Sequence, residues 1–246
     1  MSTLVRLALA LVIAALMPVG AAALDLDRRR MLTTAEHKPW KAVGRVNVAA
    51  LSETSMCTGT LISPDIVLTA AHCVFSNRTG QVHAVGNVHF VAGWRRGTRV
   101  AHRKAVEIVV HPGYAHGGEI TFDLVSADVA LIRLAEPIPP DVAPAFPMAE
   151  ASFDVNLTLI SYRQDRAHAL TRQDGCDLDG SKGTVLVLDC DVTFGASGSP
   201  VFADVDGRPA IVAVISAKGR NEKTRRDIAY AVRAAATVPG LLDALP

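Results

Sequence analysis

Short apolar runs, separated by clusters of glycine, proline, asparagine and aspartate, recur along most of this chain and constrain its fold more than any other feature. Most of these runs are about five to seven residues long and rich in valine and isoleucine, as β-strands are. The runs cover residues 46–51, 58–62, 66–70, 88–91, 106–110, 129–134, 157–161, 184–188, 199–202, 210–216 and 228–232. A final run over residues 238–245 predicts one short helix. The pattern therefore predicts an all-β barrel or sandwich with a short C-terminal helix.

A proline-rich stretch near the middle of the chain divides it into two halves of similar length. Five prolines fall within residues 136–147, and so many prolines cannot join a regular strand ladder. This stretch is typical of a connector. Two β-barrels of roughly 100 residues each, both large enough to bury a core, fit the division.

The N-terminus has the layout of a secretory signal peptide. Arg6 precedes an apolar run over residues 7–17, which Pro18 and Gly20 end, and residues 21–23 are small. A retained membrane anchor is the alternative, but the run is short of the ~20 residues that span a bilayer. We expect a signal peptide at 1–23, export to the periplasm or the medium, and no membrane partner after its removal. Residues 24–40 form an N-terminal segment and a candidate short propeptide, and 41–246 form the main domain.

Charge and cysteine usage narrow the function classes. The 25 basic and 24 acidic residues give a net charge of +1, which favours neither a nucleic-acid partner nor a membrane surface. Four cysteines in an exported chain predict two disulfides, and of three pairings we favour the local Cys57–Cys73 and Cys176–Cys190, because the two clusters are about 100 residues apart. A zinc site is the rival interpretation, but neither cluster has Cys-x-x-Cys spacing, so we expect no metal.

Three motifs carry residues suited to nucleophilic catalysis. Ser197 lies among small residues that let a substrate carbonyl approach, although the same stretch could be a Gly/Ser turn. His72 follows an apolar strand and precedes Cys73, which can hold it in place as a general base, although a lone histidine is more often structural. Asp128 opens an apolar strand, where it either caps a turn or orients a histidine.

The order histidine, aspartate, serine is that of the chymotrypsin-type serine proteases, and the motifs resemble that family. Residues 69–73, Thr-Ala-Ala-His-Cys, resemble its histidine motif, and residues 128–134 resemble its aspartate strand. Residues 195–200, Gly-Ala-Ser-Gly-Ser-Pro, resemble the serine motif of bacterial members, including the glutamyl endopeptidases. The resemblance spans residues 41–245.

The resemblance implies two six-stranded antiparallel β-barrels with the active site between them, and a serine endopeptidase that needs no cofactor. Ser197 would attack the scissile carbonyl, His72 would take and return its proton, and Asp128 would orient His72. The backbone N–H groups of Gly195 and Ser197 would form the oxyanion hole. The partner would be a protein or peptide substrate, and we expect a monomer.

Substrate preference follows from positions that the resemblance aligns. Asp191, six residues before Ser197, aligns with the base of the specificity pocket, where a carboxylate favours Arg or Lys before the cut. Ser216 matches the serine that supports the aspartate and borders this pocket. Lys218 falls where glycine is common, and it could pair with Asp191 or narrow the entrance. We expect a preference for Arg or Lys, with Glu as the rival.

Ala196 departs from the animal digestive enzymes, which carry an aspartate there that pairs with a newly freed N-terminal amine. A methyl group cannot do this, so we expect no activation of that type, although residues 28–30, Arg-Arg-Arg, could still be a processing site or simply a solvated run. A protease-like binding module without activity is the alternative function, and an esterase is a third.

Overall fold

A computed structural model of the chain describes residues 29–50, 53–150 and 156–245. In these ranges the fold is built from fourteen strands and three short helices. The strands are β1 Arg29–Met31, β2 Val43–Ala50, β3 Glu53–Leu61, β4 Ile66–Thr69, β5 Val88–Ala92, β6 Ala101–Val110, β7 Ala130–Leu134, β8 Thr158–Ser161, β9 Thr171–Asp174, β10 Leu178–Lys182, β11 Val185–Leu188, β12 Pro200–Val205, β13 Arg208–Arg220 and β14 Asp227–Arg233. The helices are α1 Thr34–His37, α2 Phe122–Ser126 and α3 Ala234–Leu242.

All eleven predicted strand runs coincide with observed strands, and the all-β fold class is confirmed. The C-terminal helix exists but begins four residues earlier than predicted. The signal peptide prediction for residues 1–23 lies outside the described residues. Within the described ranges, no helix is long and apolar enough to cross a membrane.

The first half of the chain closes into a six-stranded antiparallel barrel. The strand order is β2-β3-β4-β7-β6-β5, and β5 pairs back with β2. Alternate residues of β2 face inward and are fully buried, among them Val46 and Val48, as the period of two requires for strands with one core face. This half confirms the expected barrel.

The second half is a half-barrel, an open sheet that differs from the predicted six-stranded barrel. Its eight strands have the order β1-β9-β8-β12-β13-β14-β11-β10, with β1 and β10 at the two edges of the described sheet. The extra strand β1 comes from the N-terminal segment, where Arg29 pairs with Gln173 and Met31 with Thr171. The sheet is wider than expected because this segment adds to the free edge of β9.

An aromatic cluster joins the two halves. Trp40, Phe146 and Phe202 come from the N-terminal segment, the connector and β12, and their ring centroids lie 4.7–5.7 Å apart. Each ring is at most 8% exposed. Aromatic pairs at this spacing add stability beyond the area they bury, so the cluster holds the N-terminal segment and the connector against the open sheet.

The N-terminal segment is part of the folded body from residue 29 onward. Leu32 is buried, and its N–H donates to the carbonyl of Leu170 at 2.9 Å. Thr33 and Glu36 form a reciprocal capping box at the start of α1. The domain boundary at residue 41 and the propeptide stay predictions, but residues 29–40 pack on the same core as the rest.

Candidate active site

The cleft between the two halves holds a cavity of about 370 Å³. Its lining brings together residues that are far apart in sequence. His72 and Asp128 come from the barrel, while Ser197, Ser216 and Lys218 come from the open sheet. Five of the predicted site residues therefore border one space.

Asp128 is buried and holds His72 through two hydrogen bonds. Its Oδ2 lies 2.8 Å from His72 Nδ1, and its Oδ1 accepts the backbone N–H of His72 at 2.9 Å. The strands explain this approach, since Thr69 at the end of β4 pairs with Ala130 at the start of β7. His72 follows the first and Asp128 precedes the second, so the two side chains meet at one edge of the barrel.

Ser216 completes the environment of the carboxylate. Its hydroxyl donates to Asp128 Oδ2 at 2.6 Å, and Asp128 is only 4% exposed. A buried carboxylate is costly unless hydrogen bonds satisfy it. Here three bonds from two residues do so. They engage the backbone N–H and Nδ1 of His72, which itself lines the cleft cavity.

A disulfide anchors the turn that carries His72. Cys73 lies in the turn Ala71–Val74, and it is bonded to Cys57 on β3, with the two Cα atoms 6.0 Å apart. His72, Cys57 and Cys73 are close enough to suggest metal ligation. The two sulfurs are bonded to each other, however, and zinc binds thiolates.

Glycines shape the loop around Ser197. Gly195 and Gly198 have φ angles of +90° and +76°, which residues with a Cβ rarely adopt. Gly198 also packs against the barrel, where a Cβ would lie 2.2 Å from the carbonyl oxygen of Thr58. The Ser197 turn can therefore approach β3 closely only because glycine stands there.

The peptide between Phe194 and Gly195 is oriented by a hydrogen bond. The carbonyl of Phe194 accepts the N–H of Gln164 at 2.7 Å. In a trans peptide the carbonyl and the following N–H point in opposite directions, and the chain has no cis peptide in its described parts. The Gly195 N–H therefore points away from Gln164. Gly195 lines a second cavity with His72 and Ser197.

Thr58 is a site residue that the sequence reasoning missed. It is fully buried, its N–H donates to the Ser197 carbonyl at 2.9 Å, and its hydroxyl donates to the Gly195 carbonyl at 2.8 Å. Its hydroxyl also accepts the N–H of Tyr162 at 3.0 Å. Thr58 thus ties the serine loop to the barrel. Nothing in its local sequence distinguishes it from an ordinary strand residue.

Asp191 does not line the cleft cavity, in contrast to its predicted place at the base of the specificity pocket. Its carboxylate forms ion pairs with Arg29 and Arg163, and Arg163 also donates to the Asp191 carbonyl at 2.9 Å. The Asp191 carboxylate is therefore paired with cations and is not part of the described lining of the cleft cavity. Among the described contacts it pairs with these arginines and not with Lys218.

The cleft cavity is mostly apolar, with one exposed ammonium at its border. Its apolar lining includes Val192, Phe194 and Ile215 from the second half of the chain and Ile120 and Leu124 from the first. Phe194 is 77% exposed, which is unusual for a phenyl ring and leaves it free to contact a bound chain. Lys218 supplies the positive charge, and the described lining holds no carboxylate other than the buried Asp128.

Ala196 lies in the core of the open sheet. It is fully buried in a cluster with Val192 and with the second disulfide, Cys176–Cys190, whose pairing matches the prediction. An aspartate here would place a carboxylate among apolar side chains, where ionisation is costly. The methyl group fits this site.

Burial alters the pKa values of two groups near His72. Burial raises the pKa of Tyr114, and the neighbouring Asp128 charge adds to the effect, so the phenol stays neutral. Burial, assisted by the charge that His72 can carry, lowers the pKa of His116. Both side chains line the cleft cavity as neutral hydrogen-bonding groups at neutral pH.

The sequence matches a known protein family. The sequence model of the family described as Trypsin matches residues 32–180. A curated relative, a glutamyl endopeptidase of Bacillus licheniformis, is 26% identical over 186 residues, which cover 74% of this chain and 54% of the relative. The chain therefore spans about half the length of that relative.

Solved structures share the fold at low sequence identity. A Glu endopeptidase in complex with MPD matches with a TM-score of 0.71 and 20% identity, over 88% of this chain and 95% of the other. The protease Anisep from Arthrobacter nicotinovorans matches with a TM-score of 0.65 and 16% identity, over 85% and 96%. The thermostable serine protease AL20 from an extremophilic microorganism matches with a TM-score of 0.63 and 18% identity, over 79% and 91%.

Proposed function

Because the chain belongs to the trypsin family of serine proteases, we propose that it is an exported endopeptidase that hydrolyses peptide bonds through Ser197. The Ser197 hydroxyl attacks the scissile carbonyl while His72 takes its proton. His72 then gives this proton to the leaving amine, and an acyl group remains on Ser197. Water, activated by the same imidazole, releases the acyl group and regenerates the hydroxyl.

The observation that carries the proposal is the hydrogen-bond array on Asp128. It holds the imidazole of His72 by Nδ1, which leaves Nε2 as the nitrogen that we assign to the Ser197 hydroxyl, and His72 and Ser197 line the same cavity. A catalytic base of this kind needs its tautomer fixed and its imidazolium stabilised. The buried carboxylate, supported by Ser216, meets both needs.

The serine loop supports the second requirement, which is stabilisation of the tetrahedral oxyanion. The Gly195 N–H points away from Gln164, and we assign it and the Ser197 N–H as the two donors. Each donor of this kind is worth on the order of 10²–10³ in rate. Thr58 acts as a positioning residue, since it bonds the Gly195 and Ser197 carbonyls and not the substrate.

For substrate preference, we propose an acidic residue, Glu, before the cut, in place of the expected Arg or Lys. Asp191 supports this choice because it forms ion pairs with two arginines and does not line the cleft cavity. Lys218 supports it because this exposed lysine borders a mostly apolar cavity, where its ammonium can pair with a substrate carboxylate. The named activity of the glutamyl endopeptidase relative points the same way.

The proposal also covers the compartment and the oligomeric state. The disulfides Cys57–Cys73 and Cys176–Cys190 fit an oxidising compartment, in agreement with the predicted signal peptide. We propose that the mature protein acts on polypeptides in the periplasm or the medium, as a monomer.

Covalent labelling tests the catalytic proposal. A fluorophosphonate probe should label the wild-type protein, and a Ser197→Ala variant should not be labelled. The same variant should lose on the order of 10⁶ of the hydrolytic rate on a peptide library. Absence of labelling in a correctly folded wild-type protein, checked by its thermal unfolding, would instead favour the protease-like binding module.

A matched substrate panel tests the preference. Four peptides that differ only in the residue before the cut, Glu, Gln, Leu or Arg, should give the highest kcat/KM with Glu. Lys218→Gln should reduce the Glu-to-Gln ratio several-fold, while Lys223→Gln, which removes an exposed lysine outside the cavity, should leave it unchanged. If the Leu peptide is cleaved fastest, the apolar lining of the cavity determines the preference. If the Arg peptide is cleaved fastest, Asp191 determines it.

A further inference from the structure

One face of the barrel carries a row of residues that begins next to Ser197 and does not line the cavity of Lys218. Thr58 on β3 bonds the Ser197 carbonyl. Arg45 on β2 is its register partner, Val91 on β5 pairs with Arg45, and His102 on β6 pairs with Val91. Directly paired residues of antiparallel strands project to the same face. At about 4.8 Å per strand, this row reaches roughly 14 Å from Thr58 to His102.

Two adjoining cavities follow this row, and Arg45 lines both. The nearer one, of about 700 Å³, also contains Gly195 and Ser197 and the Cys57–Cys73 disulfide. The farther one, of about 420 Å³, is lined by His89, Trp94, Arg99 and His102 besides Arg45. We call these two cavities together the basic groove. Since Lys218 borders the other cavity at Ser197, a substrate crossing Ser197 places its leaving-group side in this groove.

The basic groove carries cations without matching carboxylates. The charge comes from the guanidinium groups of Arg45 and Arg99. His89 Nδ1 lies 2.9 Å from His102 Nε2, so one of these two nitrogens is an unprotonated acceptor and the pair adds hydrogen-bonding groups to the groove. Among the described residues that line the two cavities, none is acidic. Such a uniform charge attracts anions and repels other cations.

Two buried donors in the groove have no hydrogen-bond partner among the described residues. They are Arg45 Nε and Trp94 Nε1, and the Arg45 guanidinium lies over the Trp94 ring at 5.4 Å. Burial lowers the pKa of Arg45. A partly desolvated cation beside an unpaired indole N–H is costly, and a carboxylate bound to the Arg45 guanidinium would offset the cost of the buried charge.

We propose that the basic groove is an extended leaving-group subsite that binds acidic side chains of a polypeptide substrate, about three to five residues after the scissile bond. An extended chain advances about 3.3 Å per residue, so the fourth residue reaches the His102 end. The inference rests on the proposed function, because it takes Ser197 as the point of cleavage. It adds a requirement that the cleft cavity alone does not impose.

Paired peptides test the groove. Both carry Glu before the cut, and they differ in having Glu or Gln at the third to fifth residues after it. The wild type should favour the Glu series by roughly fivefold in kcat/KM, since several partly exposed charge pairs contribute. An Arg99→Gln/His102→Gln variant, altered at two exposed positions, should lose this preference, as should the wild type in high salt.

Two controls isolate the groove from the rest of the protein. Arg208→Gln/Lys223→Gln removes two exposed basic residues outside the groove and should keep the preference. A short substrate that ends in a chromogenic leaving group cannot reach the groove, so the Arg99→Gln/His102→Gln variant should cleave it at the wild-type rate.

Binding of the same peptides to Ser197→Ala protein, followed by fluorescence anisotropy, separates the two proposals. Equal affinity for the Glu and Gln series would overturn the basic groove. Tighter binding of the Glu series, combined with no hydrolysis by the wild type, would uphold the groove and overturn the proposed function instead.

Discussion

The hydroxyl of Ser216 donates to Oδ2 of Asp128 at 2.6 Å, and this bond joins the two halves of the protein at the carboxylate that holds His72. Ser216 lies on β13 of the open sheet, whereas Asp128 immediately precedes β7 of the barrel. The same oxygen faces His72 Nδ1 at 2.8 Å. The orientation of the imidazole therefore depends on how the two halves pack.

Replacing Ser216 by alanine should lower kcat by about tenfold, because a hydrogen bond to a charged group is worth roughly 1.5–3 kcal/mol. KM should change less, since the hydroxyl acts through Asp128. Steady-state kinetics on a chromogenic peptide measure both. Ser199→Ala is the matched control, because Ser199 is equally buried and its hydroxyl has no partner among the described residues. A similar kcat loss in both variants would contradict the role of Ser216.

Gly198→Ala should destabilise the protein severely. The new Cβ would lie 2.2 Å from both the Thr58 carbonyl oxygen and Thr69 Oγ1, at a φ of +76°. Both neighbours belong to paired barrel strands and cannot easily move. We expect a loss of at least about 3 kcal/mol in the free energy of unfolding, measured in urea.

Gly207→Ala separates the backbone strain from the clash. Gly207 has a nearly identical φ of +78°, but a Cβ there would meet nothing within 4 Å. Only the cost of the left-handed conformation applies, about 1 kcal/mol. Equal losses for the two variants would show that close approach to Thr58 is not what requires Gly198.

The strands that the sequence predicted are those with a continuous or alternating apolar pattern, because they supply the core. β1, β9 and β10 were missed since they lie toward the sheet edges and carry mostly polar residues, such as Leu-Asp-Gly-Ser-Lys in β10. Their pairing depends on a neighbouring strand that offers free hydrogen-bonding groups. A local sequence window does not contain that information.

In the candidate site, too, some residues could be identified from the sequence and others could not. His72, Asp128 and Ser197 stand in compact motifs, so their residues could be named from the sequence. The direction of the Asp191 side chain could not, because it is set by Arg29 and Arg163, which are remote from it in sequence. Thr58 could not be identified for the same reason, since the partners of its hydroxyl, Gly195 and Tyr162, come from the other half of the chain.

The position at which the chain starts should affect both stability and specificity. Protein that starts at Met31 lacks Arg29, which leaves Asp191 with Arg163 as its described cationic partner. Because the pair is partly exposed, we expect a loss of about 1 kcal/mol relative to protein that starts at Arg29. The less compensated carboxylate should also raise the ratio of Arg to Glu cleavage on the substrate panel.

An Arg29→Gln variant of the longer protein is the control for loss of the strand itself. It keeps the backbone pairing of β1 and should reproduce the change in specificity. A gain of activity in the Met31-start protein that requires its free amine would contradict this view and indicate activation by a new N-terminus.

Acidification should destabilise the protein partly through His37. This side chain is 5% exposed, and burial, together with the nearby charge of Arg95, lowers its pKa. In the unfolded chain the pKa returns to about 6.5. Below that pH the unfolded chain binds a proton at His37 that the native side chain does not bind. The contribution of His37 to the free energy of unfolding is therefore fully present above about pH 6.5 and declines as the pH falls toward the lowered native pKa.

Urea unfolding at about pH 7.5 and about pH 5.5, on either side of the unfolded histidine pKa, measures this contribution. His37→Gln can still donate a hydrogen bond to the Trp94 backbone, as the imidazole does, but it does not titrate. Its unfolding midpoint should therefore fall less on acidification than that of the wild type. His168→Gln, at an exposed position, should fall as the wild type does. If His37→Gln and the wild type lose the same stability on acidification, protonation of His37 is not linked to unfolding. Other groups then cause the acid sensitivity, such as His89 and His102, whose pKa values burial also lowers.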